Sequence, residues 1–189
     1  TAQVRTEDYE LLGDYLSPFR TLPQISLNYQ QNKFTGFSTN LYTELTYFQN
    51  QDRASNYATR AHIEPSFKYR YEKPAFDAEA ELSYLFTRYQ QQSDDIRLDE
   101  DVTRTLPRAR LQAQLHLERS TSDGYRQTLS PQIQYLYVPY ENQQNIGIYD
   151  TALLQDDYYG LFRSRRFSGL DRIAEANQIT YGLTTSLFT

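Results

Sequence analysis

Two histidines, one cluster of carboxylates and one cluster of arginines carry whatever reactive chemistry this chain has. His62 and His116 could move a proton or hold a metal. Both lie in runs of alternating polar and apolar residues, with no nucleophile or spaced carboxylate to complete a triad. G-x-S-x-G, P-loop and zinc spacings are absent, and Cys 0 removes thiolate chemistry. No catalytic residue, cofactor or metal site is predicted; both imidazoles read as polar-face residues. Asp94, Asp95, Asp99, Glu100 and Asp101 stand against Arg97 alone. They read as a solvated loop or a site for a hard cation, although the spacing is not that of an EF-hand. Arg163, Arg165, Arg166 and Arg172 accompany Asp171, just after Tyr158, Tyr159, Leu161 and Phe162. Guanidinium forks bind carboxylate and phosphate in pairs. Two readings stay open for this loop: it folds over neighbouring structure for stability, or it docks a partner or an anionic substrate.

The elements that position these residues follow a two-residue rhythm. Thr59, Ala61, Ile63, Pro65, Phe67, Tyr69 and Tyr71 alternate with Arg60, His62, Glu64, Ser66, Lys68, Arg70 and Glu72. Successive side chains of a strand point to opposite faces, so one face is apolar and the other ionic. Seven strands are predicted: 22–30, 37–48, 57–72, 76–87, 104–118, 125–138 and 177–188. Of all residues 23% are charged, yet no Asp, Glu, Lys or Arg falls on any of the seven apolar faces. An Arg or Lys facing lipid at mid-bilayer costs about 2–4 kcal/mol, which makes this exclusion the mark of a lipid-facing wall. The predicted lipid-facing residues include Leu41, Leu45, Ile63, Phe67, Leu82, Phe86, Leu111, Leu115, Ile133, Tyr135 and Leu183. Most of these strands also exceed the usual five or six residues and are long enough to cross a bilayer when tilted.

Connections alternate in length. Short turns are expected near 33–36, 73–75 and 120–124, and longer links at 49–56, 88–103 and 139–176. Short turns on one side and long loops on the other is the pattern of an outer-membrane barrel. An odd strand number and the lack of a closure device imply an arc of a larger barrel, with about seven to eight strands in this chain. The organisation is then an external loop or strand end at 1–20, six transmembrane strands as three hairpins at 21–140, a long loop at 141–176, and a further strand at 177–189. Pro23, Pro65 and Pro107 recur once per hairpin, either marking hairpin starts or weakening the outer rim.

Composition agrees with this class. Mean hydropathy is −0.76, and no run approaches a spanning helix, a test that barrels escape because one strand face is polar. Tyr 18 and Phe 10 with Trp 0 suit strands and membrane interfaces. A net charge of −5 argues against nucleic acid. The polar, acidic opening 1–13 is not a signal peptide, so the chain is expected to be a mature segment or a piece of something longer.

Specific stretches resemble one family. Thr128-Leu129-Ser130-Pro131-Gln132-Ile133-Gln134-Tyr135-Leu136-Tyr137-Val138-Pro139-Tyr140 resembles the "TLEPRxxYLYVPY" segment of the LptD family of lipopolysaccharide-assembly barrels. Tyr149-Asp150-Thr151-Ala152-Leu153-Leu154 and Tyr159-Gly160-Leu161-Phe162-Arg163 continue the likeness. Phe167-Ser168-Gly169-Leu170-Asp171-Arg172-Ile173-Ala174-Glu175-Ala176-Asn177-Gln178-Ile179-Thr180 is similar to the family's "GxDRIxxANQxT". The resemblance implies a non-enzymatic translocon in the outer membrane of a Gram-negative bacterium that assembles lipopolysaccharide into the outer leaflet. It implies as partners an LptE-like lipoprotein plug, lipopolysaccharide, and the rest of the barrel with its jellyroll. The family's gate strands and jellyroll cysteines have no counterpart in these residues. What the resemblance leaves here is middle wall and the long loop, with Tyr158, Phe162, Arg163, Arg165, Arg166, Asp171 and Arg172 as the expected plug contacts. Two other classes remain: a porin or uptake barrel of another family, and a soluble carbohydrate-binding β-sandwich, which would bury its tyrosine faces.

Overall fold

The computed structural model describes residues 1–7, 19–33, 36–120, 124–155, 157 and 160–188. Within them the alternating segments form one open antiparallel sheet of nine strands. These are β1 (Ala2–Glu7), β2 (Phe19–Lys33), β3 (Phe37–Asn50), β4 (Tyr57–Lys73), β5 (Phe76–Gln92), β6 (Asp101–Leu115), β7 (Leu117–Ser120), β8 (Arg126–Val138) and β9 (Ala176–Phe188). The sheet follows chain order from β1 to β6, then β8 and β9, with β7 extending β6 along β8. β1 and β9 are its two edges among the described residues, and no second sheet covers either face. Among the described residues no helix is long and apolar enough to cross a membrane.

Several sequence expectations shift. Residues 2–7, read as loop or strand end, pair with β2. The expected 104–118 strand is interrupted at His116, although β6 and β7 hold one register along β8: Gln114 faces Gln132, and Leu117 faces Leu129. That register sets the gap beside Pro131, which has no N–H to donate. The link expected at 88–103 shrinks, because β5 runs to Gln92 and β6 begins at Asp101. The rhythm is harder to read there because both faces carry mixed residues: Leu85 and Tyr89 are buried on the ionic side, while Arg88 and Asp101 pair at 2.6 Å on the other. Parts of the turns expected near 33–36 and 120–124 lie outside the described residues.

The prolines sit where ladders fail. The β2–β3 register shifts between Thr21 and Gln24, around Pro23. The β4–β5 pairs skip Glu64 and Pro65. The β6–β8 ladder ends at Ala109 and Tyr137, two residues before the register would place Pro107 opposite Pro139. Each is a backbone that cannot complete the N–H···O pattern.

The apolar face is open. Phe67 is 62% exposed, Leu82 61% and Leu183 60%, and Leu45, Ile63, Phe86, Leu111, Leu115, Ile133 and Tyr135 are exposed as well; Leu41 is half-buried. The ionic face is closed at one end of β3–β6 by the segment between β8 and β9. Beneath it lie Glu44, Arg60, His62, Glu64, Arg104 and Arg108, together with Phe48, Leu85, Tyr89, Val102 and Leu106.

Gly36 enters β3 at φ 90°, and a Cβ there would lie 2.3 Å from the Arg70 carbonyl oxygen. Gly124 has φ 84° but open space around it. In a full-length protein carrying this segment, Gly124→Ala is expected to cost about 1–2 kcal/mol through backbone strain alone. Gly36→Ala should cost clearly more, read as the lower thermal midpoint of the pair.

Candidate functional site

The most elaborate constellation is the contact between the 139–175 segment and the ionic face of β3–β6. The segment folds on itself first. Leu153 bridges Phe167, Leu154 N–H donates to Arg166 O, and Ser168 N–H donates to Ala152 O, giving a small hairpin with a 3-10 turn at Gly160–Phe162. At its neck the Gln143 amide donates to Ile173 O and accepts from Ile173 N–H, tying the two ends together. Arg172 reaches back to the carbonyls of Ile146 and Gly147.

Arg60 of β4 then clamps the segment to the wall. All five of its N–H donors are used. Nε and Nη2 bond Glu44 Oε1 at 3.0 and 2.7 Å; Nη1 and Nη2 take Asp150 at 2.8 and 2.5 Å; and Nη1 takes Asp171 Oδ1 at 2.7 Å. Arg60 is 1% exposed and Asp171 0%. Such charges survive burial only when paired and hydrogen-bonded throughout. Asp171 meets that condition by accepting also from Tyr149 N–H, Asp150 N–H and the Tyr89 hydroxyl. Burial first, and the neighbouring Asp171 carboxylate with it, push the Asp150 carboxyl above its ordinary range against the pull of Arg60. Gly169 fits beside Asp150 because it has no side chain; a Cβ there would lie 2.3 Å from Asp150 Oδ1.

Two further contacts extend the clamp. Arg104 of β6 donates to the carbonyls of Leu170 and Asp171, at 2.5 and 3.1 Å, and to Gln143. Glu64 of β4 accepts from Arg108 of β6 at 2.5 Å and from Arg165 of the hairpin at 2.9 Å. Between the cations lies a small aromatic core. Tyr149 stacks on Phe48 at 5.1 Å, meets Phe19 edge-on at 4.9 Å and packs with Tyr89 and Ile146. Burial raises the Tyr149 hydroxyl above its ordinary value, and it donates to Gln91 Oε1 at 2.7 Å. Gln91 in turn donates to the carbonyls of Asp99 and Asn145.

The structure sorts the residues singled out by sequence. Asp171, Arg172 and Arg165 hold the segment in place, and Asp171 has no free surface. Arg163 pairs with Asp157 and donates to Gln155 O at the hairpin tip, beside half-buried Phe162. Arg166 is exposed; its backbone carbonyl accepts from Leu154, and its side chain has no hydrogen bond or ion pair among the described residues. Tyr158 lies outside the described residues. His62 is buried between the Thr87 hydroxyl at 2.8 Å and Glu64 at 3.4 Å; His116 meets Asp77 at 2.6 Å near the other end of the sheet. The acidic stretch is spent on neighbours: Asp94 on Arg53, Asp95 on Arg97, Asp101 on Arg88. Arg97 holds the Asp95 carboxyl down to about 2. Among the described residues no group of three or more His, Cys, Asp or Glu could hold a metal.

Sequence reading missed the receiving side of the clamp: Arg60, Glu44, Arg104 and Gln91 look like any polar-face residue. The uncommon signal was Phe48, Leu85, Tyr89 and Leu106, bulky apolar residues on ionic-face positions, which only a cover can explain. Ile148, Leu153 and Leu161, apolar residues of the segment that were not among the expected plug contacts, are exposed.

Removing one partner of a buried ion pair typically costs about 3–5 kcal/mol. Asp171→Ala should therefore undock the segment, seen as lost hydrogen-exchange protection at the amides of Tyr149 and Asp150. Asp150→Asn should be milder, since it removes a carboxylate that burial disfavours. A raised carboxyl is protonated more readily in the docked than in the free segment, so the Asp150 contribution to docking grows as pH falls and is lost as pH rises through its elevated value. Wild-type minus Asp150→Asn protection should follow that direction.

The family model for LPS transport system D, LptD, matches residues 1–189. The LPS-assembly protein LptD of Idiomarina loihiensis is 76% identical over 192 residues, covering 100% of this chain and 25% of that protein. Those of Shewanella frigidimarina and Pseudoalteromonas translucida are 48% and 46% identical, each over 191 residues and 98% of this chain. The chain spans about a quarter of the length of these curated relatives. A family match over every residue, with identities of 46–76% across 98–100% of the chain, places this chain in the LptD family.

Proposed function

We propose that this chain is a stretch of outer-membrane barrel wall in a lipopolysaccharide-assembly protein, with its 139–175 segment folded into the lumen as a fixed seat for a plug. The observation that carries the reading is a single sheet whose large apolar residues are exposed while its ionic residues are covered. A soluble sandwich reverses that arrangement. Along β5 the apolar face runs from Phe76 to Phe86 before Arg88 ends it. Eleven residues at ~3.4 Å span roughly 35 Å, or about 27 Å at a ~40° tilt, close to the ~25 Å apolar band of outer-membrane barrels. The free edges of β1 and β9 require further strands, because unpaired backbone is not tolerated in lipid.

The lumenal ion pairs give the wall a mechanical task. They fix the segment, leaving its tip to meet a partner. Leu153, Leu161 and Phe162 offer apolar contact there, and Arg163 offers charge. Arg165, Asp171 and Arg172 act behind them as supports. The names of the relatives supply the cargo, lipopolysaccharide; an LptE-like lipoprotein is the expected plug. A porin reading is weaker, because the segment pairs its charges with the wall rather than opposing them across an opening.

Two tests follow. In full-length protein, Leu82→Arg and Leu115→Arg should each lower stability in lipid by about 2–4 kcal/mol, while Thr87→Arg should disturb only docking of the segment. Equal stability of the Leu82 variant in lipid and in aqueous buffer overturns the membrane assignment. Photocrosslinkers at positions 161 and 162 should capture the plug; capture from exposed position 67, on the opposite face, overturns the seating.

A further inference from the structure

The apolar face is not flat. A groove of about 750 Å³ opens on it over Ala113 and Pro131, rimmed by Phe76, Leu115, Tyr181 and Leu183. A second hollow of about 350 Å³ continues it over Ala78 and Ala80, between Tyr71 and Tyr135. Ala113 and Ile133 line both. The strand register makes the depression. Ala78 lies opposite Ala113, so two small side chains meet, whereas the next row pairs Phe76 with Leu115. Pro131 adds a gap of its own, because the β6–β8 ladder stops beside it at Gln114 and Gln132. Ala78, Ala113 and Pro131 are half-buried, while Leu115, Tyr181 and Leu183 stand exposed around them. The volume is within the ~300–1,000 Å³ of small-ligand sites.

The two ends of this face differ in charge. At the long-loop end it closes on Arg88 and Asp101, which neutralise each other at 2.6 Å. At the short-turn end its parity brings up Lys73 of β4 and Arg119 of β7, both exposed. Lys73 sits over the Tyr71 ring at 5.6 Å, and Arg119 donates to Gln127 at 3.0 Å. Neither has a carboxylate partner among the described residues. Glu72, Asp77 and Glu118, at the same end, fall on the opposite parity. Glu79 borders the groove, but its carboxylate pairs with Lys68 and Arg110 on the ionic face. The charge left at this border is therefore positive, and such cations attract anionic headgroups. Arg119 lies six residues from Ala113 in sequence. At ~3.4 Å each that is about 20 Å along the strand, or about 15 Å of depth at a ~40° tilt, half of a ~30 Å hydrocarbon core. Groove and cations are thus one leaflet apart, the span of one acyl chain and its phosphate.

We propose that this groove holds an acyl chain of an anionic glycerophospholipid in the leaflet on the short-turn side, with its phosphate on Arg119 and Lys73. The assignment rests on reading this face as lipid-facing wall, and it separates one fixed lipid from the mobile layer that any such wall touches. Lipopolysaccharide is the weaker occupant, because on that reading it is delivered to the leaflet beside the long loops.

The test uses full-length protein with its plug in nanodiscs of zwitterionic phospholipid. The probe is a trace of phosphatidylglycerol carrying a diazirine in one acyl chain, and labelled residues are mapped by mass spectrometry. Label should fall on 113–115 and 131–133 at least fivefold more than on exposed Phe67 and Leu82 of the same face. Ala113→Phe fills the groove without adding polarity; it should lower the groove label at least fivefold and leave the thermal midpoint unchanged. Lys73→Gln combined with Arg119→Gln should lower it at least threefold, with label at Phe67 and Leu82 unchanged. Even label over the whole face, or groove label indifferent to either variant, overturns the proposal and leaves the barrel reading standing. So does a groove left unlabelled while Phe67 and Leu82 are labelled, the result expected if a protein covers it. Stronger groove label from a diazirine-bearing lipid A overturns the choice of occupant. No label at any of these positions overturns the proposal and the barrel reading together.

Discussion

One guanidinium organises the inner side of this molecule. Arg60 lies out of water with three carboxylates around it, contributed by β3, by the start of the long segment and by its end. Isolated, that charge would be untenable at such a depth. Its presence therefore requires the segment to be docked, and the docked segment requires Arg60, Arg104 and Glu64 to be where the register of β4–β6 puts them. A chain stretch too long for a passive connection is instead ion-paired to the sheet.

The same dependence explains an irregularity in the strands. An ionic face wetted along its whole length would be polar throughout. Phe48, Leu85, Tyr89, Val102 and Leu106 break that pattern at one end of the sheet, and all of them are buried by the segment. Tyr149 is the centre of this small core, inserted between Phe48, Phe19 and Tyr89. The charged clamp gives direction and register to the docking, while the aromatic cluster supplies the apolar burial that ion pairs lack.

Two halves of the ionic face thus differ in chemistry. The β3–β6 half spends its charges on holding the segment. The β8–β9 half is neutral and hydrogen-bonding.

How much of this was legible in advance depends on the range of the interaction. Alternation with period two is local, so the chain itself determined the strands, their two faces and the exposure of residues such as Phe67 and Leu82; the strand faces follow from backbone geometry alone. Family identity was legible too, in contiguous stretches around Pro131 and Asp171. The role of Asp171 was not. It stood among candidates for an outside partner, and the structure turned it inward onto a residue 111 positions away. Ion pairs and buried amides are made between residues distant in sequence, and nothing at Arg60 or Gln134 distinguishes it locally from other polar-face positions. Only the folded arrangement, which brings the 139–175 segment back over β3–β6, decides which charges are satisfied and which, like Arg166, are left facing open space.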